Sequence, residues 1–384
     1  MSERVSARVR DGMTPGRRRS RLVVNALALR AGGDAARTYL ENVLLELPAA
    51  WEGTVSALVR PGVELPVEGL DLVHVPGVGS GVARIRTEWT KLPGLIASLA
   101  PDVFLNPNES LPRVVDVPLV VVAQNLLFHC PGAGPLPRGD VAARLRSRAQ
   151  FAYYRWQMPR AYARARVVAA VSQHAADLLA DRAGLDLARV RVVPCGADRL
   201  PVASAAPLNG KTLLAVGAIA HYKRLDIAVR ALAQLGSEYR LVLAGDDWPG
   251  EWRALKEVAA SAGVSERIEL TGVVSDAELA ALYARAHATV ALSACESFAI
   301  PVVEAMRAGV PVVAADERWA RELTGDAALL VPPRPDDVAA AVRSLSDEGV
   351  RAPVVEAGHA AAARYTWART AEGLARAAAE AALS

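Results

Sequence analysis

Residues 288–306 read ATVALSACESFAIPVVEAM, and this stretch decides the fold class. Its opening, from Ala288 to Leu292, is an apolar run without a charge, the pattern of a strand buried on both faces. Pro301 suits the first position of a helix, where its missing N–H costs nothing, and Val302 to Arg307 continue as that helix. Strand, small-residue turn and helix make half of a parallel βαβ unit, so an α/β chain is expected. The spacing predicts Glu296 in the loop and Glu304 about two turns inside the helix. The amides of Ser297, Phe298, Ala299 and Ile300 then stand at the helix's positive end, where an anion settles. One carboxylate for sugar hydroxyls and one for a ribose, with amides for a diphosphate between them, outline a nucleotide-sugar site.

The same alternation extends in both directions. Strands are expected at Arg21 to Ala26, Val55 to Val59, Leu72 to Val75, Val103 to Leu105 and Leu119 to Val122. Helices are expected over 35–47, 86–100, 144–165 and 173–182, the last entered from the apolar run Val167 to Ser172. Gly32 and Gly33 open the first helix, without the full dinucleotide fingerprint. Pro, Ala and Ser over 201–209 read as a linker. Beyond it, strands at 212–216, 239–244 and 267–270 alternate with helices at 224–235 and 252–262 and one opened by the capping box Ser275 to Glu278. Two doubly wound, Rossmann-like halves facing a cleft follow from this order. The expected division is a disordered start over 1–20, a first domain over 21–200, a second over 201–365 and a terminal helix over 366–384.

With 384 residues, 52% hydrophobic and 22% charged, the chain is long enough for two cores and too apolar for a disordered protein. A net charge of +3 gives no case for nucleic-acid binding. Cys130, Cys195 and Cys295 lack metal-ligand spacing and are odd in number, so a reduced, intracellular chain is expected. The Arg-rich first twenty residues lack the apolar core of a secretory signal. Residues 117–137 carry no Asp, Glu, Lys or Arg, but Gln124, Asn125, His129 and several Pro and Gly interrupt them. A buried strand and loop is expected there, not a membrane span. The expected location is the cytoplasm.

From Glu296 to Met306 the chain resembles the retaining glycosyltransferases of the GT-B fold known as family 4. The shared features are Glu, seven residues, Glu, with Phe298, Pro301 and Ala305-Met306 around them and Gly309-Val310-Pro311 after them. Ala299 stands where the family usually has glycine. Gly217 to Leu225 resembles the family's donor loop, so the resemblance assigns Lys223 to the leaving diphosphate and, with Glu296, to catalysis. It implies donor binding by Glu304, Gly217, Gly33 and the Ser297 to Ile300 turn. The arginine that often accompanies the lysine is missing at positions 218 and 222, and Arg224 is its expected substitute. Gly32 is implied on the acceptor side. Gln124 and Asn125 occupy the places of the family's histidine and aspartate; as amides they orient hydroxyls and cannot act as a base. Glu322 matches a family segment that shapes the site, and the segment after Tyr365-Thr366-Trp367 is implied to cross back to the first domain.

What the resemblance implies is transfer of a hexosyl group from a UDP- or GDP-linked sugar to an acceptor hydroxyl, with retention and with neither cofactor nor metal. The acceptor is a glycan, a lipid-linked glycan or a small natural product. The basic, aromatic stretch Arg84 to Lys91 is a candidate for peripheral membrane contact. Two other readings share the nucleotide subsite: a sugar-nucleotide epimerase or hydrolase, and a catalytically silent sugar-nucleotide-binding partner. Donor turnover without acceptor would mark the first, and donor binding without transfer the second.

Overall fold

A computed structural model describes residues 20–29, 35–79, 82–109, 116–130, 141–201 and 211–383. Gly32 and Gly33 lie outside the described residues. The first lobe holds strands β1 (Ser20–Asn25), β2 (Gly53–Val59), β3 (Leu70–His74), β4 (Val103–Asn106), β5 (Leu119–Ala123), β6 (Val167–Ala170) and β7 (Val190–Val192). The second holds β8 (Lys211–Val216), β9 (Tyr239–Ala244), β10 (Ile268–Gly272), β11 (Ala286–Ala291), β12 (Val312–Ala315) and β13 (Leu329–Val331). The sheets run β3-β2-β1-β4-β5-β6-β7 and β10-β9-β8-β11-β12-β13. Every pairing is parallel.

The chain therefore writes one winding order twice, and the order reverses between β1 and β4 and again between β8 and β11. Open parallel sheets bind ligands at such points, outside the carboxyl ends of the strands. Central strands are apolar on both faces because helices cover both: β4, β5, β6 and β12 are buried at every position.

Local chemistry explains where the elements differ from the sequence reading. The helix expected over 86–100 is two helices, Val82–Thr90 and Leu92–Leu99. Pro93 stands in the first turn of the second, and a proline there starts a new helix while disfavouring continuation of the old one. The helix after the donor loop begins at Leu225, one residue later than expected, because Arg224 holds a left-handed backbone with φ 52°. The 3-10 turn Ser265–Arg267 delays β10 to Ile268.

The final helix, Trp367–Leu383, packs on the helix Ala35–Ala50 and on β4, β5 and β6 of the first lobe. Trp367 is 1% exposed and meets Tyr39 edge-on at 5.9 Å between ring centres. Its amide donates to Asp198 Oδ1 at 2.9 Å. Among the described residues no helix is long and apolar enough to cross a membrane.

Candidate active site

Between the lobes lies a crevice of about 500 Å³, walled by the loops that follow β4 and β5 on one side and β8 and β11 on the other. The β11 loop runs straight into the helix Ile300–Arg307, with Pro301 in its first turn. Glu296 lies in that loop. The β8 loop closes with a short helical turn, His221–Lys223, which points Lys223 back over Gly217. A Cβ on Gly217 would come within 3.4 Å of Lys223 Nζ, and its φ of 121° is a glycine conformation.

Lys223 Nζ donates to Glu296 Oε1 at 2.5 Å, with both side chains less than one-fifth exposed. Burial works against the ammonium, but the adjoining carboxylate more than offsets it, so the lysine's pKa is raised and it stays charged. Tyr222 covers this cation at 5.4 Å from its ring centre. Sequence-distant loops thus assemble a buried ion pair on the switch point of the second sheet.

The rest of the expected donor site is distributed differently. Ser297, Phe298, Ala299 and Ile300 all line the crevice. The Ile300 amide is not free for a ligand, because it donates to Phe298 O at 3.0 Å. Phe298 also packs edge-on to Tyr365 at 5.3 Å. Glu304 lies four residues into its helix, one turn from the start and not two, and is not among the crevice-lining residues. The Tyr283 hydroxyl sits 3.0 Å from Pro301 O and 3.1 Å from Glu304 Oε2, with one proton to donate between them. Burial raises the Glu304 carboxyl to about 7, with the Tyr283 bond opposing and Asp276 reinforcing the shift.

Arg224 does not join Lys223. Its left-handed backbone turns the side chain to Glu317, where Nη1 meets Oε1 at 2.8 Å. Glu322 is likewise engaged by protein groups. Its two oxygens accept from the amides of Gln173 (2.7 Å) and His174 (2.6 Å), capping the first-lobe helix Gln173–Ala183 from across the lobe boundary. Beside it Ser172 Oγ donates to Ser297 O at 2.6 Å, and Arg318 pairs with Asp177.

On the first-lobe wall, Gln124 Nε2 donates to Pro107 O at 2.8 Å, and Asn125 Oδ1 accepts from Leu127 N at 3.1 Å. Both residues line the crevice with one face already engaged. Their backbone N–H groups donate to Glu109 Oε1 at 2.5 and 2.9 Å, and the Tyr162 hydroxyl approaches the same oxygen at 3.3 Å. Glu109 is 4% exposed and has φ 54°. Burial raises its carboxyl to about 8 despite these three hydrogen bonds, which all favour the charged form.

The family profile described as "Glycosyltransferase Family 4" matches residues 36–199, and that of "Glycosyl transferases group 1" matches 197–360. The chain belongs to the family 4 glycosyltransferases. The chain is similar to the D-inositol 3-phosphate glycosyltransferase of Acidothermus cellulolyticus, 32% identical over 51% of this chain and 49% of that protein. It is 29% identical to the protein of that name from Xylanimonas cellulosilytica, over 80% of each. Anabaena HepE, solved with UDP and glucose, superposes with a TM-score of 0.67 over 92% of this chain and 97% of HepE at 19% identity, a likeness of fold.

Several residues of the crevice escape a reading of spacing. Glu109 is followed by no recognisable motif; its only signal is an acid three residues beyond a buried strand. Tyr222 stands where arginine was sought and gives the lysine an aromatic cover. Cys130 and Cys295, 165 residues apart, bring their sulfurs together across the crevice, an apposition the spacing did not signal. Cys195 stays a free, buried thiol.

Proposed function

We propose that the enzyme moves a hexosyl group from a UDP- or GDP-linked sugar to an acceptor hydroxyl with retention of configuration, without cofactor or metal. The observation that carries this reading is the Lys223–Glu296 pair at the carboxyl ends of β8 and β11. Lys223 stabilises the negative charge growing on the leaving diphosphate, and the amides around Ser297 to Ala299 add partial positive charge. Glu296 receives hydroxyls of the transferred sugar once the diphosphate takes over the lysine. Glu304 receives the ribose hydroxyls. The acceptor enters from the first-lobe side, past Gln124 and Asn125, and its proton passes to the departing phosphate oxygen as the new bond forms on the same face.

A glycan or lipid-linked acceptor is supported by the surface beside the entrance. The helix Val82–Thr90 is a poor membrane contact, since Thr87 and Glu88 are buried. The helix Val141–Arg164 suits one better: it carries six arginines and no acid, and exposes Val141, Leu145 and Trp156. Tyr154 of the same helix lines the crevice and accepts from Arg84 Nη2 at 3.0 Å.

A panel of UDP- and GDP-sugars offered with glycan, polyprenyl-linked and small-molecule acceptors, read by mass spectrometry of products, tests the proposal. A glycosylated acceptor with the donor's anomeric configuration is expected. Donor consumed with no acceptor present, and no adduct when one is added, would overturn it.

A further inference from the structure

Cys130 follows β5 in the first lobe, and Cys295 precedes Glu296 in the second. Their Cα atoms lie 6.2 Å apart, inside the range that a disulfide spans without backbone movement. Both side chains are less than one-tenth exposed, and Cys295 lines the crevice. Burial raises the pKa of the third cysteine, Cys195, keeping it a protonated and inert thiol. The apposed pair stands apart from it.

We propose that Cys130 and Cys295 form a reversible modification site for low-molecular-weight disulfides, and that the resulting bond staples the lobes together beside Glu296. The side-chain contacts already described across this boundary are polar: the Ser172 bond to Ser297, the Glu322 cap and the Arg318–Asp177 pair. Each of these can break and re-form as the lobes part, because water replaces the partner at small net cost. A covalent bond cannot. Donor entry and nucleotide release both require the crevice to open, so the bridged protein is held in a closed, non-cycling state.

The chemistry balances as two exchanges. Cys295, the partner that faces the crevice, attacks one sulfur of the small disulfide as a thiolate and expels a small thiolate. Cys130 then attacks the Cys295 sulfur of that mixed disulfide, forms the bridge and releases the second small thiolate. Two electrons pass from the cysteines to the small disulfide, and their two protons leave on the small thiols. Excess dithiol runs both steps backwards.

The effect on turnover rests on the transfer reading; the bridge and the locked lobes do not. The test uses the full chain and its Cys130→Ser variant, each treated with glutathione disulfide and then with dithiothreitol. Three readouts are followed: peptide mapping without reductant, the radius of gyration in solution, and transfer. Oxidised wild type is expected to yield a cross-linked Cys130–Cys295 peptide, a smaller radius than the reduced form, and loss of turnover that dithiothreitol restores. The variant stops at the mixed disulfide on Cys295 and is expected to give neither the cross-linked peptide nor the smaller radius. Absence of the cross-linked peptide, an unchanged radius in the bridged protein, or equal compaction of oxidised Cys130→Ser would overturn the staple. A bridged, compacted protein without transfer in either redox state would support the staple and count against the function proposed above.

Discussion

At the switch point of the first sheet, β1 and β4 end in two asparagines; at the matching place in the second, the β8 and β11 loops carry a lysine and a glutamate. Asn25 Nδ2 donates to Asn106 Oδ1 at 2.9 Å, with both residues fully buried. Lys223 and Glu296 form an ion pair at 2.5 Å with a margin of exposure. A neutral amide pair satisfies its own hydrogen bonds and offers little field to a ligand. A buried ion pair exchanges one partner for an incoming diphosphate readily, because the cation is never left uncompensated. The same winding order thus provides a closed, neutral first-lobe floor and an open, charged second-lobe site. Glu109 adds to the contrast: the first lobe's crevice acid is buried and holds its proton near neutrality.

The contrast can be broken most sharply at Glu296. Glu296→Gln is expected to lower turnover about 10²-fold while changing donor affinity little, checked by steady-state kinetics beside nucleotide titration. Unchanged turnover would remove the charged pair from the chemistry. Glu304→Ala is expected to weaken nucleotide binding about tenfold, or roughly 1.4 kcal/mol, in the same titration. Wild-type affinity would end its ribose role.

On the neutral side, Asn106→Ala leaves a buried Asn25 donor without its partner and is expected to cost about 1–3 kcal/mol of stability in urea unfolding. Its donor affinity should match wild type; a loss there would mean that the first sheet's switch point also contributes to the nucleotide site.

The smallest effect concerns pH. The folded Glu109 carboxyl titrates at about 8 against a usual 4.5, so the folded state binds the extra proton. That contribution to stability is complete below the usual value and is lost as pH rises through the folded one. Glu109→Gln should remove this slope, leaving the part near neutrality that Glu304 causes in the same direction, a difference of roughly a few degrees in Tm at alkaline pH. Parallel Tm profiles for variant and wild type would show that Glu109 is not the group responsible.

Much of this was legible in the chain because the signals are local. Central strands are unbroken apolar runs, and Ser172, Ser275 and Pro301 mark helix starts by their own chemistry. Glu296 and Lys223 were legible from their motifs, which place each on a loop leaving a strand end. The orientation of side chains was not. Arg224 and Lys223 are neighbours in sequence, and only the left-handed backbone at Arg224 separates them into different ion pairs. Glu322 caps a helix 148 residues away, and Cys295 meets a thiol 165 residues away; no spacing rule encodes either distance. The break at Lys91 had its signal in Pro93, but an apolar pattern that runs on through it concealed the boundary.

Titration of UDP and GDP into wild type and Lys223→Ala shows whether this lysine holds the diphosphate. One of these nucleotides is expected to bind wild type and to bind the variant at least about tenfold more weakly, a loss of about 1.4 kcal/mol or more. Equal affinity in the two proteins would contradict it.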